Sequence, residues 1–493
     1  MMNSIIKNKL IKVRLPAFVS CIFIFFLAGC PQREPEWDKC VQDCGGVIAA
    51  KLPNTSSEAP PNVTDNIVVY LDTSKSMRGY VAPRDGKNFA VSENGQTIYT
   101  KTLLELKNAA GLISPDYSVS LRRVTKQLSD PAFNALEISA GAIKRDEIYQ
   151  GDDTDLALAV KSFSQNLKAN DSGPPRFHIL VTDGVQSSAG CTQNSDPRCL
   201  KEQILSLIGK KEANWSAAII GLRSEFDGLV YSEVLPGTSF DYQSGKLLSG
   251  FRPFYLYIFS ANQFELNKFV DSLKENLLKL KPRDVKDGDF LREFPVTDDY
   301  GRYLNGNVTA DSKTDESGSI LTLTPSKAPD ENPAFTIKVS TDTEESGATR
   351  FAVTASLPWK QSAELLGTKS ELSEIIKWEL VQCSEFPEDS RYPFIRKLDD
   401  VEYAEDGKVT LHLETGWTKD VGTRGWRTAV LIGRINTDKA APKWIAGWST
   451  QTDMNPRDAS KTLNLIESLG NLWRNAAIQK QVVARIYLKV GEL

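Results

Sequence analysis

The chain has 493 residues, of which 41% are hydrophobic and 25% charged, with 59 basic against 63 acidic side chains and a net charge of −4 at pH 7. No stretch concentrates Lys and Arg among aromatics, which argues against nucleic acid as a partner. The length suggests two or three domains.

Residues 1–29 read as an address rather than as structure. Lys7, Lys9, Lys12 and Arg14 precede the apolar run "LPAFVSCIFIFFLAG", which is short and abruptly ended compared with a full membrane span. The run closes with "LAGC", Leu27 to Cys30, which resembles the lipobox of bacterial lipoproteins. An ordinary secretory signal or a marginal membrane helix is the alternative. The resemblance implies that Cys30 is lipidated and becomes the mature N-terminus, so that the protein is exported and lipid-anchored in the bacterial cell envelope. Pro31 and Gln32 lack the acidic inner-membrane retention signal of enterobacterial lipoproteins, which favours the outer membrane where one exists. Without the leader, 464 residues carry 55 basic and 63 acidic side chains, a net charge of −8.

In an oxidising envelope the five remaining cysteines are disulfide candidates. Cys191 and Cys199 flank the short loop "CTQNSDPRC" and form the first candidate pair; Cys40, Cys44 and Cys383 have no assignable connectivity. Zinc would need two more soft ligands beyond any cysteine pair, and the chain holds only His178 and His412. Both histidines sit among strand residues and read as packed side chains. Residues 50–65, rich in Pro, Ser, Thr and Asn, complete a lipidated tether over 30–65.

From 66 to 282, apolar runs alternate with amphipathic stretches. "IVVYL" (67–71), "FHILV" (177–181), "AAIIGL" (217–222) and "FYLYIF" (254–259) are nearly continuous, as in strands buried on both faces, and "YSVSLRRV" (117–124) joins them. Leu156, Val160, Phe163 and Leu167 lie on one helical face. A second helix follows "SANQ", where Ser260 and Gln263 fit a capping box, with Leu266, Phe269, Val270, Leu273 and Leu277 as its apolar stripe. The pattern predicts an α/β fold with a doubly wound, mostly parallel sheet.

Beyond a linker at 283–304 the grammar changes. Between 305 and 493, "SILTLTP", "AFTIKVS", "RFAVTASL", "KVTLHLE", "TAVLIGRI" and "VVARIYLKV" predict a β-rich, sandwich-like C-terminal domain. A late helix is expected at 459–475, with Leu465, Ile466, Leu469, Leu472 and Trp473 on one side.

Three motifs fall at predicted strand and helix boundaries. "DTSKS" places Asp72, Ser74 and Ser76 just past the first strand, Thr154 precedes a helix in "GDDTDLALAV", and Asp183 follows a central strand in "HILVTDG". In a parallel sheet these chain ends meet at one edge, where open α/β folds bind ligands. In order and position the three motifs resemble the metal-ion-dependent adhesion site of von Willebrand factor A domains. The resemblance covers residues 66–282 and implies Ser74 and Ser76 as direct metal ligands. It implies Thr154 as a ligand directly or through water, with Asp72 and Asp183 acting mainly through water. All five donors are oxygens, which suits a hard divalent cation, Mg²⁺ first and Mn²⁺ or Ca²⁺ as alternatives. Neutral hydroxyls leave such a cation much of its charge, so an open position attracts an Asp or Glu of a protein partner.

The chain departs from the family where Asp152 and Asp153 stand in place of a frequent Gly-Gly pair, and no second metal motif follows Ser76. Insertions at 78–98, 186–198 and 224–250 interrupt the pattern. No phosphate loop or nucleophile motif stands out, so the expectation is a binding protein and not an enzyme. The alternatives are a structural scaffold in which the metal only stabilises the domain, and a metal-dependent hydrolase, which would leave the alternate serines unexplained.

Overall fold

The computed structural model describes residues 64–81, 96–131, 138, 145–152, 154–166, 175–185, 198–208, 215–232 and 237–297 of the first part. In the second it describes 309–313, 321–327, 333–339, 348–356, 369–384, 395–404, 408–416, 427–438, 441–452, 455–475, 478 and 482–490. Cys30, Cys191 and the Cys199 side chain lie outside the described set, as do Asp153 and Leu167.

The five apolar runs of the first part all form strands of one sheet. They are β1 (Thr64–Asp72), β2 (Ser118–Val124), β4 (Pro175–Thr182), β5 (Ser216–Ser224) and β8 (Arg252–Ser260), joined by β3 (Leu128–Pro131) and β9 (Leu291–Pro295). The order of this seven-stranded sheet is β3-β2-β1-β4-β8-β5-β9. Only β2-β1-β4 pair in parallel; β3 on β2, and every pair from β4 through β8 and β5 to β9, is antiparallel. The sheet is therefore mixed rather than mostly parallel. Continuous apolar runs report burial of both faces, not strand direction, and direction follows from the connections. Between β5 and β8 the chain makes a hairpin, β6 (Asp227–Tyr231) with β7 (Ser239–Gln243), instead of a crossover helix. Without a crossover, β8 enters beside β4 in the opposite sense.

Alternation along the strands sends side chains to two cores. Ile67, Val69 and Leu71 of β1 join Ile179, Ile220 and Ile258 on one face, under α1 (Ile98–Ile113) and α4 (Gln263–Leu278). The cap of α4 is Asn262, whose side chain accepts from the Phe264 and Glu265 amides, and not the predicted Ser260. The Ser260 hydroxyl instead accepts from the Asn262 amide.

On the opposite face, Val68, Tyr70, Leu180, Ile219, Tyr257 and Phe259 meet α2 (Leu156–Asn166) and α3 (Arg198–Ile208). The rest of that face is covered from the C-terminal part, by the short helix Lys443–Trp448 and by α5 (Leu465–Trp473). Trp448 stands against Tyr255 with ring centroids 6.5 Å apart, and Trp473 against Phe294 of β9 at 6.2 Å. Fully burying each such side chain contributes about 1.5–3 kcal/mol or more. On α5, Leu465, Leu469, Leu472 and Trp473 are buried as predicted, whereas Ile466 is exposed.

The remaining C-terminal strands build two small sheets, with orders β10-β13-β16-β15 and β11-β12-β20-β17-β14. Here β10 is Thr309–Lys313, β11 Leu321–Lys327, β12 Pro333–Val339, β13 Ala348–Ser356, β14 Ile376–Ser384, β15 Ile395–Tyr403, β16 Lys408–Gly416, β17 Arg427–Ile435 and β20 Val482–Val490. Two-residue strands at Ser449–Thr450 (β18) and Thr462–Leu463 (β19) pair beside α5. Apart from β12 on β20, the two small sheets pair antiparallel throughout. Val409, Leu411 and Leu413 of one sheet and Leu431, Ile486 and Leu488 of the other belong to one apolar cluster. Trp378, Trp444 and Trp448 are buried in that same cluster.

Candidate functional site

The three motifs meet at one edge of the sheet. The loop after β1 is stitched to two neighbours through the backbone. The Thr73 amide donates to the Val124 carbonyl (3.2 Å), the Gly151 amide to the Thr73 carbonyl (3.2 Å), and the Lys75 amide to the Gly151 carbonyl (2.9 Å). These bonds bring Gly151 beside Ser74. From Thr154 the chain enters α2, whose first turn is capped by Asp155 accepting from the Leu158 amide at 2.9 Å.

Asp72 is the hub. Its Oδ1 accepts from the Ser74 amide at 2.9 Å and from the Thr154 hydroxyl at 3.1 Å; its Oδ2 accepts from the Thr182 hydroxyl at 2.7 Å. The Ser74 and Ser76 hydroxyls lie side by side, 2.9 Å apart. Asp72, Ser74, Thr154 and Asp183 are buried, and Lys75 and Ser76 are half-buried, so the site opens on the serine side. All five residues singled out in the sequence are thus brought together. Thr182 was missed, although it stands in the same "VTDG" stretch.

Asp183 lies where β4 ends, and its Oδ1 accepts from the Val185 amide at 3.1 Å. The chain turns at Gly184 with φ of +80°, a conformation that favours glycine. Asp183 Oδ2 is buried and accepts no hydrogen bond; its nearest cationic group is Arg252 Nη2 at 3.8 Å. Burial raises the Asp183 carboxyl above its ordinary range, partly offset by Arg252, by the Val185 amide and by the Ser76 hydroxyl. Burial also raises Asp72, and the neighbouring Asp183 raises it further. Two buried carboxyls facing one pair of hydroxyls therefore resist joint ionisation.

These features fit a divalent cation. A buried carboxylate oxygen without a donor is costly unless a charge meets it. The donor set is all oxygen, which matches a hard ion and not a soft one. Among the described residues no group of three or more His, Cys, Asp and Glu side chains is placed to hold a metal ion, and the donors here are mostly hydroxyls.

The rim adds detail that the sequence left open. Asp152 is exposed and ion-paired with Lys75, which lowers its carboxyl below the ordinary value. It therefore stands as a paired rim residue rather than as a donor of the site. Arg78 pairs with Asp146 at 3.4 Å, and its Nε donates to the Tyr149 carbonyl. The 224–250 insertion also reaches this rim. A Cβ on Gly79 would lie 2.4 Å from the Phe226 ring, so only glycine admits the hairpin against the turn Lys75–Tyr80. Residues 82–95 and 186–197 of the other two insertions lie outside the described residues.

The two histidines stand apart from this edge. His178 is fully buried, stacked on Phe163 at 4.4 Å and 3.3 Å from the Tyr70 hydroxyl. His412 lies on β16, 3.4 Å from Glu402.

No family model matches this chain, and no curated protein or solved structure matches it either.

Proposed function

We propose that residues 66–282 form a von Willebrand factor A-type domain whose metal-ion-dependent adhesion site captures an acidic group of a protein partner. Asp72, Ser74, Ser76, Thr154 and Asp183 would hold the ion, Mg²⁺ before Mn²⁺ or Ca²⁺. A cation held largely by neutral hydroxyls keeps enough charge to draw in a partner's carboxylate. The observation that carries this reading is the meeting of the five residues at one sheet edge, with Ser74 and Thr154 bonded to Asp72, Ser76 beside Ser74, and a buried Asp183 oxygen that accepts no hydrogen bond. The reading places the chain in the bacterial envelope, tethered through lipidated Cys30 by way of residues 30–65. The linker 283–304 and the sandwich-like region 305–493 belong to the same proposal, as spacer or second surface. Among the described residues no helix is long and apolar enough to cross a membrane. The role is binding rather than turnover, because a hydrolase would leave the alternate serines without a part.

A scaffold role is favoured by one separate observation. The segment 455–463 packs beside the site, with Thr462 Cγ2 3.3 Å from where a Cβ on Gly184 would lie. A cation there would stabilise the join between the two parts of the chain.

Two measurements decide. Calorimetric titration of the chain with Mg²⁺ should show one site, lost in Ser74→Ala and in Ser76→Ala. A pull-down from solubilised envelopes should then retain a partner in Mg²⁺ and release it in EDTA. Unchanged Mg²⁺ affinity in both serine variants would overturn the site. Metal-dependent stability with a partner that persists in EDTA would establish the scaffold role instead.

A further inference from the structure

Arg252 is the first residue of β8 and is buried. Because β8 runs against β4, its first residue arrives at the edge where β4 ends. One guanidinium nitrogen, Nη2, lies 3.8 Å from Asp183 Oδ2. The other, Nη1, donates to the Ala459 carbonyl at 3.1 Å, in the segment 455–463 of the C-terminal part. The side chain is wedged over the Phe226 ring, 4.8 Å from its centroid. Other contacts hold the same segment down. Arg223 Nη1 donates to the Ser460 carbonyl at 3.2 Å, and the Tyr255 and Thr462 hydroxyls lie 2.9 Å apart.

We propose that Arg252 is a clamp that opposes the metal: its guanidinium holds segment 455–463 and pairs with the Asp183 oxygen that the cation needs. The inference rests on the metal-site reading above. Cation and guanidinium are like charges competing for one carboxylate in a buried setting, where their repulsion is weakly screened. Binding of the cation draws Asp183 away and pushes the guanidinium off, which loosens its grip on Ala459. By linkage, release of the segment must tighten metal binding by the same factor. Arg252 is a positioning residue here and is not itself a ligand. Arg223 and Tyr255 stay attached in both states, so the segment loosens without detaching.

The test uses the full chain in detergent, with Mg²⁺ as the probe. Hydrogen exchange of the Ala459 and Lys461 amides, which bond within the segment to Pro456 and Asp458, should speed up when Mg²⁺ is added. Arg252→Gln should bind Mg²⁺ about tenfold more tightly, given the strength of a like-charge contact at partly buried range. Its segment should exchange fast with or without the metal. Equal or weaker Mg²⁺ affinity in Arg252→Gln would overturn the clamp. So would exchange at 455–463 that ignores Mg²⁺ in the unmodified chain, a measurement that needs no variant to fold. A chain that binds no Mg²⁺ by direct titration would instead defeat the site itself, and the two failures are distinguishable.

Discussion

The two halves of the α/β sheet differ in strand direction and do different things at their shared edge. In the parallel half, β2, β1 and β4 all end there, so the loop after β1 delivers Asp72 and the serine hydroxyls, Thr125 after β2 stands beside Gly151, and Asp183 follows β4. In the antiparallel half, β8 begins at that edge and contributes Arg252, a buried cation, from its first position. The halves also differ in cover. The first is roofed by α2, close to it in sequence, whereas part of the second is roofed by Trp448, Leu469 and Trp473 from the far end of the chain. Strand direction decides which chemistry reaches an edge, and the connection between strands decides who must cover the face.

The largest expected effect tests the borrowed roof. Trp473→Ala removes a fully buried side chain that packs on Phe294 of β9. It should lower the unfolding free energy by about 3–5 kcal/mol in a denaturant titration. A loss below ~1 kcal/mol would show that the antiparallel half does not depend on the C-terminal segment.

The next sharpens the parallel half. Asp72→Asn keeps an acceptor for Ser74 and Thr154 but removes the charge and its conflict with Asp183. Mg²⁺ affinity should fall by about 100-fold, the scale on which removing a site's supporting groups acts, while the melting temperature in EDTA stays level or rises. A parallel collapse of stability in EDTA would make Asp72 a folding residue first.

His178 offers a third contrast, in the middle of β4 and away from the site edge. Burial, with a smaller contribution from Arg122, holds its imidazole neutral down to about 3 against an ordinary value of 6.5. Below pH 6.5 the unfolded chain takes up a proton that the folded one refuses. This contribution is therefore complete above 6.5 and is lost as pH falls toward 3, at ~1.4 kcal/mol per pH unit. His178→Phe, which keeps the stack on Phe163, should remove about 2 kcal/mol of the stability difference between pH 7 and pH 5. An unaltered pH slope in the variant would mean that the folded state protonates His178.

The smallest effect checks the exposed side of the borrowed roof. Ile466 is 41% exposed, on the same helix as buried Leu469. Ile466→Ser should change stability by less than ~0.5 kcal/mol by thermal melting. A larger loss would place a further element over that face.

Much of this was legible in the residues themselves. The nearly continuous apolar run 67–71 marked β1 as a strand buried on both faces, and the apolar stripe of α4 marked its buried side. Oxygen-bearing side chains at alternate positions after a buried run marked the loop of Asp72, Ser74 and Ser76, because such residues end strands and cannot be buried without partners. The cap of α4 was misjudged by two residues, since Ser260 and Asn262 both have the chemistry to cap and only the backbone angle at Asn262 decides between them. Strand direction was not legible. A run such as "FYLYIF" is equally apolar read either way, and its sense depends on whether the connection before it crosses the sheet. With direction went Arg252, whose place beside Asp183 no spacing announces across 69 positions of chain. The sequence by itself determined which residues must be buried and which oxygens gather at strand ends, because those follow from hydrophobic period and local turn chemistry. Only the tertiary structure decided which cation faces those oxygens and which distant helix covers the sheet, because both depend on contacts between segments far apart in the chain.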